Sequence, residues 1–431
     1  PTGAFGAASG VWKLSDVTNY KRQGTWPVPL SGHQVANSCR FNSGSSDNLS
    51  ISLSSTATNN KKGTLSFWFK SQGVNQQYPI AKSAGTIFYL YFNSSSQLVW
   101  QNASTNTRIT SQVFRDPTAW GNLVINFDTT QSTAANRQKM FYNGTEITSF
   151  GTSSDLSLNQ VVSIFDGDSG ARQISGYTGG GYWSGYMSEV VGIDGLQLDP
   201  TSFGETDSVT NNWVPKDVSG LTFGNNGFYL PFTNASALGE DFSGEDNDFT
   251  ANNLTSIDQS IDTCTNNFCT LNPLDIGGGS YTFSNGNTTI NTDGGLQSTF
   301  SVGQGKWYAE FKLTGSVNYG IGIRQQNYAI SQGYGTGGKS AVLHLDEVNF
   351  YKNGSSTASY GSAWSTGDVI QVAADLDNNN IYFGKNGSWW NGSAFSSSIP
   401  STAQSIDDID NYTFSIILVA SGAGNVDANF G

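Results

Sequence analysis

Residues Gly367–Asn391 read GDVIQVAADLDNNNIYFGKNGSWWN. Val369, Gln371 and Ala373 alternate with Ile370, Val372, Ala374 and Leu376, so one face of an extended chain is apolar throughout. A polar turn follows, then Ile381-Tyr382-Phe383, then Asn386-Gly387 and two tryptophans. Asn-Gly between strand-like runs predicts a tight hairpin, because a type I′ turn needs positive φ at both central residues. The device recurs over Asn122–Ile147, NLVINFDTTQSTAANRQKMFYNGTEI, where an alternating strand leads to a short strand closed by Asn143-Gly144. Two such copies far apart predict two domains of one architectural kind.

The composition agrees with that reading. A chain of 431 residues is long enough for two or three domains. Hydrophobic residues make up only 36%, yet aromatics reach 13% and there are 51 glycines. That mixture predicts an all-β protein with many turns and cores built on aromatic rings rather than Leu-rich helices. Helical periodicity is confined to a weak turn over Leu14–Gln23. No run is long and apolar enough for a membrane helix, and the opening residues do not read as a secretory signal. The net charge of −13 argues against nucleic acid as a partner, since phosphate contacts need clustered Lys and Arg. Three cysteines do not make a disulfide framework. Cys264 and Cys269 are spaced to close a small loop in an oxidising setting, and Cys39 is expected to pack as a small apolar side chain. Three cysteines and two histidines at these spacings build no zinc site.

Residues 1–38 are poor in strand signal and read as an arm that docks on its own domain or a neighbour. Strand signals then become dense from Cys39 to about Asp207. In Leu65-Ser-Phe67-Trp-Phe69, one face carries Leu65, Phe67 and Phe69, while Thr86–Phe92 (TIFYLYF) is apolar on both faces and reads as an inner strand. The order SCRFN, SFWFK, AWGNLVINFD, KMFYNGTEI and YWSGYMSEVVGID resembles a laminin-G-like, concanavalin A-like jelly roll over 39–207. Composition changes over 208–290, which reads as a connector; with Val214-Pro-Lys and Ala237-Leu-Gly it resembles the connector of marine bacteriophage tail-fibre-like virion proteins. Its acidic group, Glu240, Asp241, Glu245, Asp246 and Asp248, reads as a solvated loop, with Ca²⁺ binding as the rival reading. Residues 291–431 restart the β pattern. GKWYAEF, YGIGI, GDVIQVAADLDNNNIYFGKNG and the terminal ANFG resemble, in that order, a SPRY domain, again a concanavalin A-like sandwich. The expected fold is therefore all-β, with two antiparallel sandwiches joined by a loop-rich connector.

Candidate chemistry is sparse. Gly167-Asp-Ser-Gly170 spells a serine-protease nucleophile motif, but neither His33 nor His344 has the flanks of a catalytic base. A glycanase on this fold would need a pair of carboxylates on one strand, and Glu205-Thr-Asp207 is the nearest approach; Glu189 stands alone. Enzymatic activity is not expected. Asp166 and Asp168, in FDGDSG, are candidate Ca²⁺ ligands at the rim of the first sandwich. Aromatic rings at loop tips can stack on the apolar face of a pyranose while Asn side chains bind hydroxyls. Tyr182, Trp183, Tyr334, Trp389 and Trp390, with Asn386 and Asn391, are the glycan-contact candidates. Eleven N-x-Ser/Thr sequons occur, several on the hairpin turns, where turn geometry accounts for the asparagine.

The resemblance implies a bacteriophage virion appendage protein of tail-fibre or receptor-binding type, displayed on the particle surface. Its partners would be other virion proteins and a host-surface polysaccharide, and a homo-oligomer is expected. A capsid decoration or head-fibre protein, and a secreted bacterial carbohydrate-binding adhesin, are the alternatives.

Overall fold

A computed structural model describes residues 33–430 except 74–75, 104, 169, 209, 278, 293, 316–318, 327–338, 361–362, 398–402, 409–410 and 419–423. The arm expected over 1–38 lies outside the described residues except for 33–38. There His33 N donates to Pro215 O, and Val35 is buried.

The chain folds into two all-β sandwiches. In the first, strand Lys62–Ser71 pairs antiparallel with Gly121–Asp128 on one side and Gly185–Asp194 on the other. Gln138–Tyr142 and Thr145–Glu146 extend that sheet at one edge, and Ser38–Phe41 lies beyond Gly185–Asp194. The facing sheet runs Phe150–Ser153, Thr105–Val113, Gln97–Asn102, Phe88–Phe92, Gln77–Lys82, Ala171–Ile174, Asn48–Ser52 and Thr250–Asn252. Alternation decides what meets in the middle. Leu65, Phe67 and Phe69 from one sheet and Phe88, Leu90 and Phe92 from the other share a single core, with the Phe69 and Phe92 rings 5.5 Å apart. Phe88–Phe92 is an inner strand, paired on both sides as its sequence predicts. Cys39 is fully buried in this core.

In the second sandwich Lys306–Leu313 pairs with Val369–Asp375 and Gly424–Asn429. Val369–Asp375 in turn pairs with Asn380–Lys385. The facing sheet places Tyr319–Gln325 between Ser340–His344 and Tyr412–Leu418. Ile370, Val372, Ala374 and Leu376 are buried together with Ala309, Phe311 and Leu313, and Trp307 packs against the same core from a half-buried position. Asn386 and Gly387 both have positive φ, 50° and 84°, and Asn143 and Gly144 repeat this at 47° and 76°.

The stretch read as a connector is consumed by the two sandwiches instead. Phe228–Leu230 pairs with Gly185–Asp194, Thr250–Asn252 with Asn48–Ser52, and Gln259–Ser260 with Ser38–Phe41. Leu271–Gly277 and Tyr281–Ser284 already belong to the second sandwich. The reason is a scatter of apolar residues in a polar stretch: Phe228, Leu230, Phe232, Leu238, Phe249 and Leu254 all enter the first core. The turn 285–287 then rests on the first sandwich, where Asn287 Nδ2 donates to Gln72 O at 3.0 Å. Cys264 and Cys269 are free thiols, so the small loop between them is not closed by a disulfide. Their sulfurs meet Ser188 Oγ and Thr299 Oγ1 instead.

Candidate functional site

Strand Phe88–Phe92 alternates two kinds of residue. Phe88, Leu90 and Phe92 face the core, while Tyr89 and Tyr91 stand half-buried on the opposite face. A register shift in the neighbouring strand, between Gln77 and Ile80, accompanies Tyr78, whose ring stacks on Tyr91 at 4.7 Å and 17°. Tyr177 reaches in from the Gly-rich turn 176–181 and packs on Tyr78 at 4.6 Å and Tyr89 at 5.5 Å. A side chain at Gly181 would strike the Tyr78 ring, so the turn needs glycine there to close over the tyrosines. Gln76 Nε2 donates to Tyr78 Oη at 2.8 Å, and burial pushes that phenol up to about 12, so it stays a neutral hydroxyl. Four rings with phenolic oxygens gather in one patch of sheet face, Tyr78 buried among them and Tyr89, Tyr91 and Tyr177 half-buried around it. Such a surface offers apolar ring faces and hydroxyl partners together, which is the chemistry a saccharide needs.

Of the residues singled out in the sequence, Tyr182 borders this patch, its ring lying against Gly176. Trp183 does not contribute. It is 1% exposed and packs edge-on against Phe69 at 5.9 Å, so it is a core residue. Trp390 is likewise buried, stacked on Tyr360 at 5.1 Å. Trp389, the neighbour on the other face, is half-buried beside the exposed Tyr308 ring at 6.2 Å. Asn386 spends its amide on the hairpin: Val369 N donates to its Oδ1, and its Nδ2 donates to Asp368. Asn391 Oδ1 accepts from Ser393 N and Ala394 N, again a turn role. Tyr334 lies outside the described residues. The candidates thus divide between two sandwiches and do not form one site. Tyr78, Tyr89, Tyr91 and Tyr177 were not singled out, although the hydroxylated rings alternating in FYLYF and the tyrosine in GYTGGGYW carried the signal.

The two aspartates expected to hold Ca²⁺ have other partners. Asp168 pairs with Lys82 Nζ and Arg172 Nη1, each at 2.8 Å, so its carboxylate is shared between two buried cations. Burial alone would raise this carboxyl, but hydrogen bonds from Lys82 and Arg172 outweigh it and hold it below the usual range. The Arg172 guanidinium also donates to the carbonyls of Ile164 and Asp166, so one arginine ties Asp166 and Asp168 together. Asp166 accepts from Asn60 Nδ2 at 3.0 Å and lines an open polar depression of about 630 Å³ with Thr58, Asn59, Lys61 and Thr130. Among the described residues no group of three or more His, Cys, Asp or Glu is placed to hold a metal.

The remaining motifs are structural. Asp241 accepts from Tyr229 N, Ser243 N and Asn247 N, and Asp248 accepts from Asp241 N, so the acidic group of 240–248 folds a turn. Asp207 accepts from Thr210 N and Oγ1, while Glu189 is 5% exposed and accepts from Tyr229 Oη at 2.7 Å. His33 and His344 lie in different sandwiches, and Ser169 is outside the described residues.

Residues 43–192 match the family model for the concanavalin A-like lectin/glucanases superfamily, and residues 306–400 match that for the SPRY domain. Among solved structures, the SPRY domain of human HERC1 is 16% identical with a TM-score of 0.29, covering 37% of this chain and 96% of its own. The TRIM65 PSpry domain is 12% identical with a TM-score of 0.28, covering 38% of this chain and 93% of its own. A heptameric SAP-like pentraxin from Limulus polyphemus is 18% identical with a TM-score of 0.27, covering 39% and 74%. The chain carries a concanavalin A-like domain followed by a SPRY domain, both folds of lectin or binding type rather than typical enzyme families.

Proposed function

We propose that this protein is a non-catalytic glycan-binding protein whose first sandwich contacts saccharide through the half-buried rings of Tyr89, Tyr91 and Tyr177, which the buried Tyr78 ring holds in place. The observation that carries this reading is the tyrosine cluster itself. Its rings stand on the outer face of a sheet whose inner face is already filled by Phe88, Leu90 and Phe92. The resemblance of the segment order to marine phage appendage proteins supports a place on a virion surface, in a tail-fibre or receptor-binding subunit. Host-surface polysaccharide is then the ligand, other virion proteins are the neighbours, and assembly of several copies multiplies a weak single-site affinity.

The test is binding of the full chain to a multivalent glycan array, with Tyr91→Ala beside the wild type. One stacked ring removed is expected to weaken the best ligand about tenfold, equivalent to about 1.4 kcal/mol. A silent array, or equal binding by a Tyr91→Ala protein that melts like the wild type, would sink the reading.

A further inference from the structure

Lys70 is a buried cation that glycan binding leaves unused. It lies on strand Lys62–Ser71 with 2% exposure, opposite Tyr186, whose ring centre is 5.9 Å from its Nζ. All three donor positions of the ammonium are taken: Asp262 Oδ2 at 2.9 Å, Asn267 Oδ1 at 2.8 Å and Phe268 O at 2.7 Å. Asp262 is itself buried and fixed, with Trp120 Nε1 donating to its Oδ1 at 2.9 Å and Phe268 N at 3.2 Å. The Asn267 amide is held from its other end, where Nδ2 donates to Thr118 O at 2.8 Å. Trp68, Trp120 and Tyr186 wall the site.

We propose that Lys70 and Asn267 join in an intramolecular isopeptide bond, with Asp262 as the proton carrier. Amine, carboxamide and carboxylate already converge, and the Asn267 side-chain carbon lies one bond beyond the oxygen that Lys70 touches. Burial lowers the Lys70 pKa, opposed by its pairing with Asp262, which favours passing a proton from ammonium to carboxylate. The free amine then attacks Asn267 Cγ and forms a C–N bond. The tetrahedral centre collapses, the Cγ–Nδ2 bond breaks, and the Asp262 proton goes to the departing nitrogen. Ammonia leaves by the exposed side of Asn267 and takes up the second proton from the former ammonium. A primary amide and an alkylammonium become a secondary amide and an ammonium ion, with no oxidant or cofactor. The bond would span 197 residues and tie a central strand of the first sandwich to the segment that enters the second at Leu271.

Intact-mass measurement of the full chain after incubation at neutral pH, followed by peptide mapping, decides the matter. The expected result is a deficit of one ammonia, about 17 Da, with the Lys70 and Asn267 peptides recovered as one branched species. Asn267→Ala and Asp262→Ala are expected to keep the full sequence mass; a cross-link surviving Asp262→Ala overturns its role. Full mass in the wild type, with both peptides free, overturns the proposal whatever the variants do. So does a deficit mapped to an imide at Asn143 or Asn386 without branching, and so does a loss of water (about 18 Da) with Lys70 linked to Asp262.

Discussion

Glu189 has a positive backbone φ of 49° within strand Gly185–Asp194, where pairing with Lys62–Ser71 shifts register between Ser188 and Val191. A left-handed glutamate costs about 1–2 kcal/mol, so the bulge persists only because the surrounding sheet imposes it. Its carboxyl is buried, accepts from Tyr229 Oη, lies 3.7 Å from His33 Nε2, and has the carboxylate of Asp217 nearby. Burial is the largest influence and raises it from 4.5 to about 7, although the Tyr229 hydrogen bond pulls the other way. Between those two values the folded chain holds a proton that the unfolded chain has released. Stability from this group is therefore present below pH 4.5 and is lost as pH rises through about 7, by roughly 3 kcal/mol in all. Asp47, raised to about 6 chiefly by burial, slopes in the same direction, so the comparison must isolate Glu189. Glu189→Gln is expected to remove most of the fall between pH 5 and 8 in urea titrations of the first sandwich. Identical slopes in wild type and variant would contradict this account. The sequence shows a lone glutamate on a strand; that the strand bulges there and buries the acid depends on neighbours remote in sequence.

The two Asn-Gly hairpins were legible as elements because their geometry is local: positive φ at two adjacent residues leaves few residue choices. What surrounds them was not legible. A side chain added at Gly387 would meet nothing within 4 Å, whereas one at Gly144 would come within 2.5 Å of the Trp213 ring. Gly387→Ala should therefore cost only backbone strain, about 1 kcal/mol. Gly144→Ala adds a collision with an indole held by Asn122 Oδ1 and should cost at least about 2 kcal/mol. Thermal unfolding of the two variants checks the order, and equal losses would count against it. The strand Phe88–Phe92 makes the same point. Its inner place followed from TIFYLYF, yet reading both faces as simply apolar hid the tyrosine side, because the partners Tyr78 and Tyr177 come from other elements.

At the scale of the molecule, the first sandwich is completed by chain that looks like linker. Three short strands between 228 and 260 pair with its sheets, and six apolar residues of that stretch lie in its core. A fragment ending at residue 207 is expected to lose cooperative folding, while one ending at 270 retains it; near-ultraviolet dichroism and limited proteolysis separate the two. A well-folded 33–207 fragment would show that the later strands only decorate the sandwich. The sequence by itself determined the all-β class, the two sandwiches, both hairpins and the alternating faces of the main strands, because each rests on local backbone preference and a period of two. Only the tertiary structure decided which aromatics were core, that Asp168 answers to Lys82 and Arg172, and that Tyr78, Tyr89, Tyr91 and Tyr177 meet. In a chain this rich in rings and poor in charge, a residue's role is set by what packs on it, and those partners come from distant strands and turns. The Gly367–Asn391 hairpin shows the division in one place: its turn could be read in advance, while the burial of Trp390 and the half-buried place of Trp389 could not.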